Sequence, residues 1–220
     1  MTYNLLVIDE QQSEIEQIEN FFELADDFEI FGLIEVQNLD GLYDYIFEKK
    51  IDVVVFDYKL MEHNSNFQMN GDKYLKNLLE KYQNFPTIIL TNKAADAKLH
   101  HIDPFKVIDK ELVNVNPEIE EEKKSGLELI KNIRILIDNY RKEIADAKNE
   151  LETLLEKADS SKTITALEEE RIIELDSFLE KSFSKTNRIP NSLKTTHSLD
   201  VLSKLIEDTD ELIRNLKENE

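Results

Sequence analysis

Four apolar runs in this chain each stop on a polar side chain: NLLVI before Asp9 and Glu10, VVVF before Asp57, TIIL before Thr91, and FKVID before Lys110. The run Val53-Val54-Val55-Phe56 is continuous rather than alternating. A strand has that pattern when both of its faces are covered, as in a parallel sheet with helices on either side. In such an open sheet the carboxyl ends of the strands form the rim at which ligands bind. The same ordering therefore places three acids, a hydroxyl and a lysine along one rim.

Between the runs the period changes from strand-like to helical. Residues 12–25 carry Ile15, Ile18, Phe21, Phe22 and Ala25 at helical spacing, and a second strand is predicted over 29–36. A helix over 39–49 turns Leu42, Tyr45 and Ile46 inward, and another opens at Gly71 with Tyr74, Leu75, Leu78 and Leu79. Pro86 precedes the strand 87–90, a short helix covers 94–101, and 105–109 forms the fifth strand. Strand and helix alternating through short links predict an α/β domain over 1–115 with a doubly wound five-stranded parallel sheet.

The character then changes, and 116–220 read as all-α, with helices over about 117–158, 164–186 and 198–217. Pro117 suits the first turn of a helix. Ile130, Ile133, Ile137, Tyr140, Ile144, Ala147, Leu151, Leu154 and Ala158 alternate steps of three and four, the seam of a coiled coil or helical bundle. The start of this long helix also serves as the fifth helix of the α/β domain. Asp159 to Lys162 reads as a hairpin loop, and Thr165 with Glu168 has the spacing of a capping box. Ile172, Leu175, Phe178 or Leu179, and Phe183 continue a second helix; Leu199, Leu202, Ile206, Thr209, Ile213 and Leu216 mark a third.

Charge narrows the function. The chain carries 27 basic and 47 acidic side chains, a formal net charge of −20. Without a basic cluster neither half can cover a phosphate backbone, so nucleic acid and anionic membrane are not expected partners. No cysteine is present, which removes disulfides, thiolate zinc sites and thiol nucleophiles. No apolar run is long enough to cross a bilayer, and a cytoplasmic protein is expected.

Carboxylates on adjacent strand ends repel by roughly 4 kcal/mol at an effective dielectric of 20. Asp9, Glu10 and Asp57 can stay ionised together when a hard cation such as Mg2+ lies between them. The order of strand ends, with Asp9 and Glu10, then Asp57, Thr91 and Lys110, resembles the receiver domain of two-component response regulators. The resemblance covers about residues 3–112 and implies the strand order 2-1-3-4-5. It implies that Asp57 is the phosphoacceptor, with Thr91 donating its hydroxyl to a phosphoryl oxygen and Lys110 pairing with the phosphate charge. It makes Glu10, Asp57 and the backbone carbonyl of Lys59 ligands of Mg2+, with Asp9 acting partly through water. A histidine kinase or histidine phosphotransfer protein is the implied donor.

The pattern also departs from the family's. Leu60-Met61 lacks the usual proline, the loop from Glu62 to Asn70 is longer, Asn92 replaces a small residue, Glu111 replaces a proline, and Val107 stands where an aromatic switch is common. Lys59 and Lys93, each two residues past a pocket residue, are expected to reach towards the phosphate and slow self-dephosphorylation. His63, His100 and His101 have no ligand spacing, and His197 reads as an ordinary residue at a helix start rather than a relay histidine.

The sequence thus predicts a phosphoacceptor rather than a dedicated enzyme, signalling through contacts of its helical tail as a homodimer or on a protein partner. The alternative is a constitutive scaffold that uses the α/β half as a platform. A phosphohydrolase ranks last, because Lys59 stands where a general acid would be needed.

Overall fold

The computed structural model describes residues 2–62, 66–99, 103–159 and 164–183. Five parallel strands form one sheet in the order β2-β1-β3-β4-β5. They are β1 (Tyr3–Ile8), β2 (Phe28–Leu33), β3 (Val53–Phe56), β4 (Thr87–Thr91) and β5 (Val107–Asp109). The connections are α1 (Gln12–Phe22), α2 (Leu39–Glu48), α3 (Gly71–Lys81) and α4 (Ala94–Leu99), and α5 (Glu120–Asp159) follows β5. The expected α/β class and strand order are those observed.

The continuous apolar runs have a direct explanation, since successive strand residues point to opposite faces. Leu6, Ile8, Val54, Phe56 and Ile89 pack with Leu42 and Ile46 of α2 and Leu75 and Leu78 of α3. Leu5, Val7, Val53, Val55, Ile88 and Leu90 pack on the other face with Ile15, Ile18 and Phe22 of α1 and Ile130, Ile133 and Ile137 of α5. Both faces are dry, so neither phase of the strand can be polar.

Several elements depart from expectation. In α2 the buried ring is Tyr43, not Tyr45, which is only partly covered. Tyr43 meets Tyr82 edge-on at 5.5 Å and carries Lys81 over its face at 4.0 Å. β2 ends at Leu33, and Val36 instead bridges to Phe67 in the loop after β3. The fifth strand is shorter than 105–109. Asp103 accepts from the Phe105 N–H and Pro104 takes the first helical position, so Pro104–Lys106 forms a 3-10 turn that leaves Phe105 94% exposed.

The chain divides into two compact units, Met1–Arg141 and Lys142–Glu220. The first runs past residue 115 because the opening turns of α5 supply one wall of the sheet's core. The seam read from the sequence is shared accordingly. Ile130, Ile133 and Ile137 face the sheet, whereas Ala147 and Leu151 join Leu155, Ile172 and Leu175 in the second unit's own core. There α6 (Ala166–Phe183) begins with the expected capping box: the Glu168 carboxylate accepts from the Thr165 N–H at 3.0 Å, and the Thr165 hydroxyl accepts from the Glu168 N–H at 3.3 Å. The helix expected over 198–217 lies outside the described residues, as do the loop residues 160–162 and all four histidines.

Candidate functional site

Strand register assembles the rim. Ile8 lies beside Phe56, and the Asp57 N–H donates to the Ile8 carbonyl at 2.9 Å, so Asp9 and Asp57 leave adjacent strands at one level. Phe56 pairs with Ile89, and Thr91 pairs with Asp109, which brings Thr91 and Lys110 to the same edge. Asp9, Asp57, Thr91 and Lys110 are all buried.

Lys110 reaches the site from a 3-10 turn whose start is fixed by the Asp109 side chain accepting from the Glu111 N–H at 3.0 Å. Its Nζ lies 2.6 Å from Asp9 Oδ2, 3.1 Å from Asp57 Oδ1 and 3.0 Å from Glu14 Oε2. Residues a hundred positions apart thus converge on one ammonium. Burial disfavours the Lys110 charge, yet the facing Asp57 and Asp9 carboxylates outweigh it and hold the ammonium above the ordinary lysine range.

The acids are held from other sides as well. Asp57 Oδ2 accepts from the Lys59 N–H at 2.6 Å, and Asp9 Oδ1 accepts from the Gln11 N–H at 3.0 Å. Burial pushes the Asp9 carboxyl up, with Lys110 pulling in the opposite direction. Glu10 is pushed up by burial and by the charges on Asp9 and Asp57, and its Oε2 is buried without a hydrogen-bond partner. Thr91 Oγ1 accepts from the Lys93 N–H at 3.1 Å, which leaves its own proton available to an oxygen in the pocket.

Gly71 packs against the backbone of the acceptor. A Cβ built there would lie 1.9 Å from the Asp57 carbonyl oxygen and 3.0 Å from Phe56 Cβ. The start of α3 can approach the backbone of Asp57 this closely only without a side chain. The longer loop after Met61 is therefore followed by a helix anchored against the acceptor's own peptide.

Lys59 and Lys93 are held by acids of their own. Lys93 Nζ lies 2.5 Å from Glu62 Oε2, and Lys59 Nζ is 3.9 Å from Asp96 Oδ2. Both pairs link the segment after β3 with the segment after β4.

Glu14 was not singled out by its sequence context. An acid in the first turn of a helix reads as an ordinary surface charge favoured by the helix dipole. Only the three-dimensional arrangement shows that this turn of α1 faces the end of β5. One ammonium among Asp9, Glu14 and Asp57, with Glu10 beside Asp9 in sequence, leaves the rim with an excess of negative charge. Among the described residues no group of three or more histidines or acids is placed to hold a metal ion.

No family model matches the chain, and no curated protein matches it. Among solved structures it is similar to the response regulator domain of Thermotoga maritima CheB, with 16% identity and a TM-score of 0.43 over 63% of this chain and 98% of that one. The response regulator RcsB of Salmonella typhimurium gives 14% identity and 0.41 over 92% and 98%. The signal receiver domain of a LuxO repressor protein from Vibrio parahaemolyticus gives 13% and 0.39 over 63% and 92%.

Proposed function

We propose that the chain is a response regulator of the two-component type, accepting a phosphoryl group on Asp57 and signalling through protein contacts of its helical C-terminal region. The observation that carries this reading is the convergence of Asp9, Asp57 and Lys110, from three different strand ends, on one buried ion-pair cluster beside Thr91. Phosphoryl transfer asks a protein mainly for positioning and charge neutralisation, and these residues offer both.

In the transfer an Asp57 carboxylate oxygen forms a bond to phosphorus while the bond from phosphorus to the donor breaks. The electron pair leaves with the donor, a phosphohistidine of a kinase or phosphotransfer protein. Lys110 neutralises the phosphoryl charge and Thr91 donates its hydroxyl proton to a phosphoryl oxygen. The Lys59 N–H, already on Oδ2, holds the carboxylate in place.

Mg2+ fits the residues present. It binds through one or two carboxylates and keeps several waters, so a closed cage is not required. The unpartnered Glu10 Oε2 and the surplus of carboxylates are the features that ask for it. Glu10, Asp57 and the Lys59 carbonyl would hold the ion, with Asp9 behind a water, and the ion would supply charge neutralisation at the phosphoryl oxygens.

The two tied lysines suit a slow return to the unmodified state, because Lys59 and Lys93 stand between the loops that frame the acceptor. The double variant Lys59→Ala, Lys93→Ala should shorten the phosphoryl half-life, and a half-life that is unchanged or longer would remove this element.

A second reading, a constitutive scaffold, draws on the fact that both Asp57 oxygens already have partners. One experiment separates the two. The full chain is incubated with a small phosphodonor and Mg2+ and its intact mass is measured. A phosphoryl mass increase that is absent in Asp57→Ala supports the switch, and no increase in the wild-type chain supports the scaffold.

A further inference from the structure

An ammonium has three N–H donors, and Lys110 faces three carboxylates: Asp9 at 2.6 Å, Glu14 at 3.0 Å and Asp57 at 3.1 Å. All three carboxylates draw on its charge, Asp9 at the shortest distance. On the reading that Asp57 accepts a phosphoryl group, the phosphoryl oxygens take over the hold on Lys110 that Asp57 gives up with its charge. They then compete for the ammonium with Asp9 and Glu14. Asp9 is held at the shortest distance and is 1% exposed, so its release would strand a charge in the interior. Asp57 is the group being modified. Glu14 has a side chain 24% exposed and sits on the first turn of α1, so water can take it over at the least cost.

We propose that Glu14 is a positioning residue, an internal competitor that holds the Lys110 ammonium in the unmodified pocket and is displaced from it by the phosphoryl group. The competition weakens capture of the phosphoryl group and shortens its stay. It also transmits the event to α1, because the first turn of that helix loses an ion pair whenever Asp57 is modified. This route is separate from the Thr91 side of the pocket, where the contact observed is from the Lys93 backbone.

The test uses the full chain and two variants. Glu14→Gln keeps the shape and removes the charge; Glu14→Asp is one methylene shorter and withdraws the carboxylate from Lys110. Binding of beryllofluoride, a phosphoryl stand-in, is measured with Mg2+ present. Hydrogen exchange of the Lys110 ammonium is measured by NMR with neither present. Loss of a partly exposed ion pair predicts about five-fold tighter beryllofluoride binding by Glu14→Gln. It also predicts a longer phosphoryl lifetime and faster exchange at Lys110, with Glu14→Asp moving in the same direction. Unchanged or weaker binding, or unchanged exchange, in either folded variant overturns the proposal while leaving Asp57 as acceptor. A wild-type chain that neither binds beryllofluoride nor takes a phosphoryl group overturns the phosphoacceptor reading and this inference with it.

Discussion

The two ends of the sheet handle acid in opposite ways. At the amino end Asp27 and Asp52 each have their own arginine. Asp27, just before β2, is held by Arg134 through two nitrogens at 2.6 and 2.9 Å; Asp52, just before β3, is held by Arg141 at 2.6 and 3.1 Å. Each guanidinium also lies over an aromatic ring, Arg134 over Phe28 at 5.6 Å and Arg141 over Tyr3 at 5.1 Å. At the carboxyl end a single buried lysine serves three acids, and Glu10 is left with an unpartnered oxygen. Asp27 and Asp52 are paired one to one where the sheet is held to α5, whereas three acids share one lysine where chemistry is proposed. Structural pairs can be completed within the chain, whereas a binding site has to leave something for its ligand to complete.

The largest effect should come from Lys110→Met. It leaves Asp9 and Asp57 buried without their counter-charge, and removing one partner of a buried pair costs about 3–5 kcal/mol. Burial already favours the neutral form of Asp9 and Glu10, so the deficit should shrink as pH falls and those acids protonate. Urea unfolding at neutral and mildly acidic pH measures this, and a deficit that does not shrink would mean that the rim's acids are not what Lys110 balances.

Gly71→Ala should follow, at about 3 kcal/mol, because the new methyl overlaps the Asp57 carbonyl. A neutral result would show that α3 can back away from the acceptor's peptide.

At the amino end the effects should be smaller. Arg134→Ala removes a pair whose side chains are 31% and 35% exposed, and about 1 kcal/mol is expected, reduced by salt. The Arg134 hydrogen bond holds the Asp27 carboxyl below the usual range. This contribution is therefore present above the ordinary carboxylate pKa and is lost as pH falls through the depressed folded value. A cost as large as that of Lys110→Met would erase the contrast between the two ends.

The smallest expected change has the opposite sign. Glu10 has a raised pKa in the fold, so its ionised form weakens the fold at neutral pH, and Glu10→Gln should stabilise by about 0.5–1 kcal/mol. The gain should fade as pH falls into the ordinary carboxyl range, where the folded protein already binds the proton. If the variant is less stable at neutral pH, Glu10 has a partner within the chain and the charge imbalance at the rim disappears.

The sheet was legible because burial on both faces forces unbroken apolar runs, and the polar residue ending each run fixes the rim without knowledge of the loops. Asp9, Asp57, Thr91 and Lys110 could be read in that way. Glu14 could not, because its role depends on where the first turn of α1 points relative to β5, and helical periodicity marks only the apolar face. The same limit explains Tyr43. Tyr43 and Tyr45 lie on either side of the stripe set by Leu42 and Ile46, and tertiary neighbours such as Tyr82 decide which ring is covered. The seam of α5 was legible as a pattern but not as an assignment. Steps of three and four suit a helical bundle and the wall of a sheet equally well, and Ile130, Ile133 and Ile137 serve the second purpose.

The lysine that settles the rim follows the last and shortest strand, three residues from Val107 to Asp109. A chain emerging from the ribosome therefore presents Asp9, Glu10, Glu14 and Asp57 well before their counter-ion has been made. Until residue 110 is available the nascent sheet must carry that acidity in solvent or against dissolved cations, so closure of the pocket waits until half of the chain has been made. Fragments that stop short of Lys110 keep the strands that bear the acids and lack the charge that lets those strands pack together.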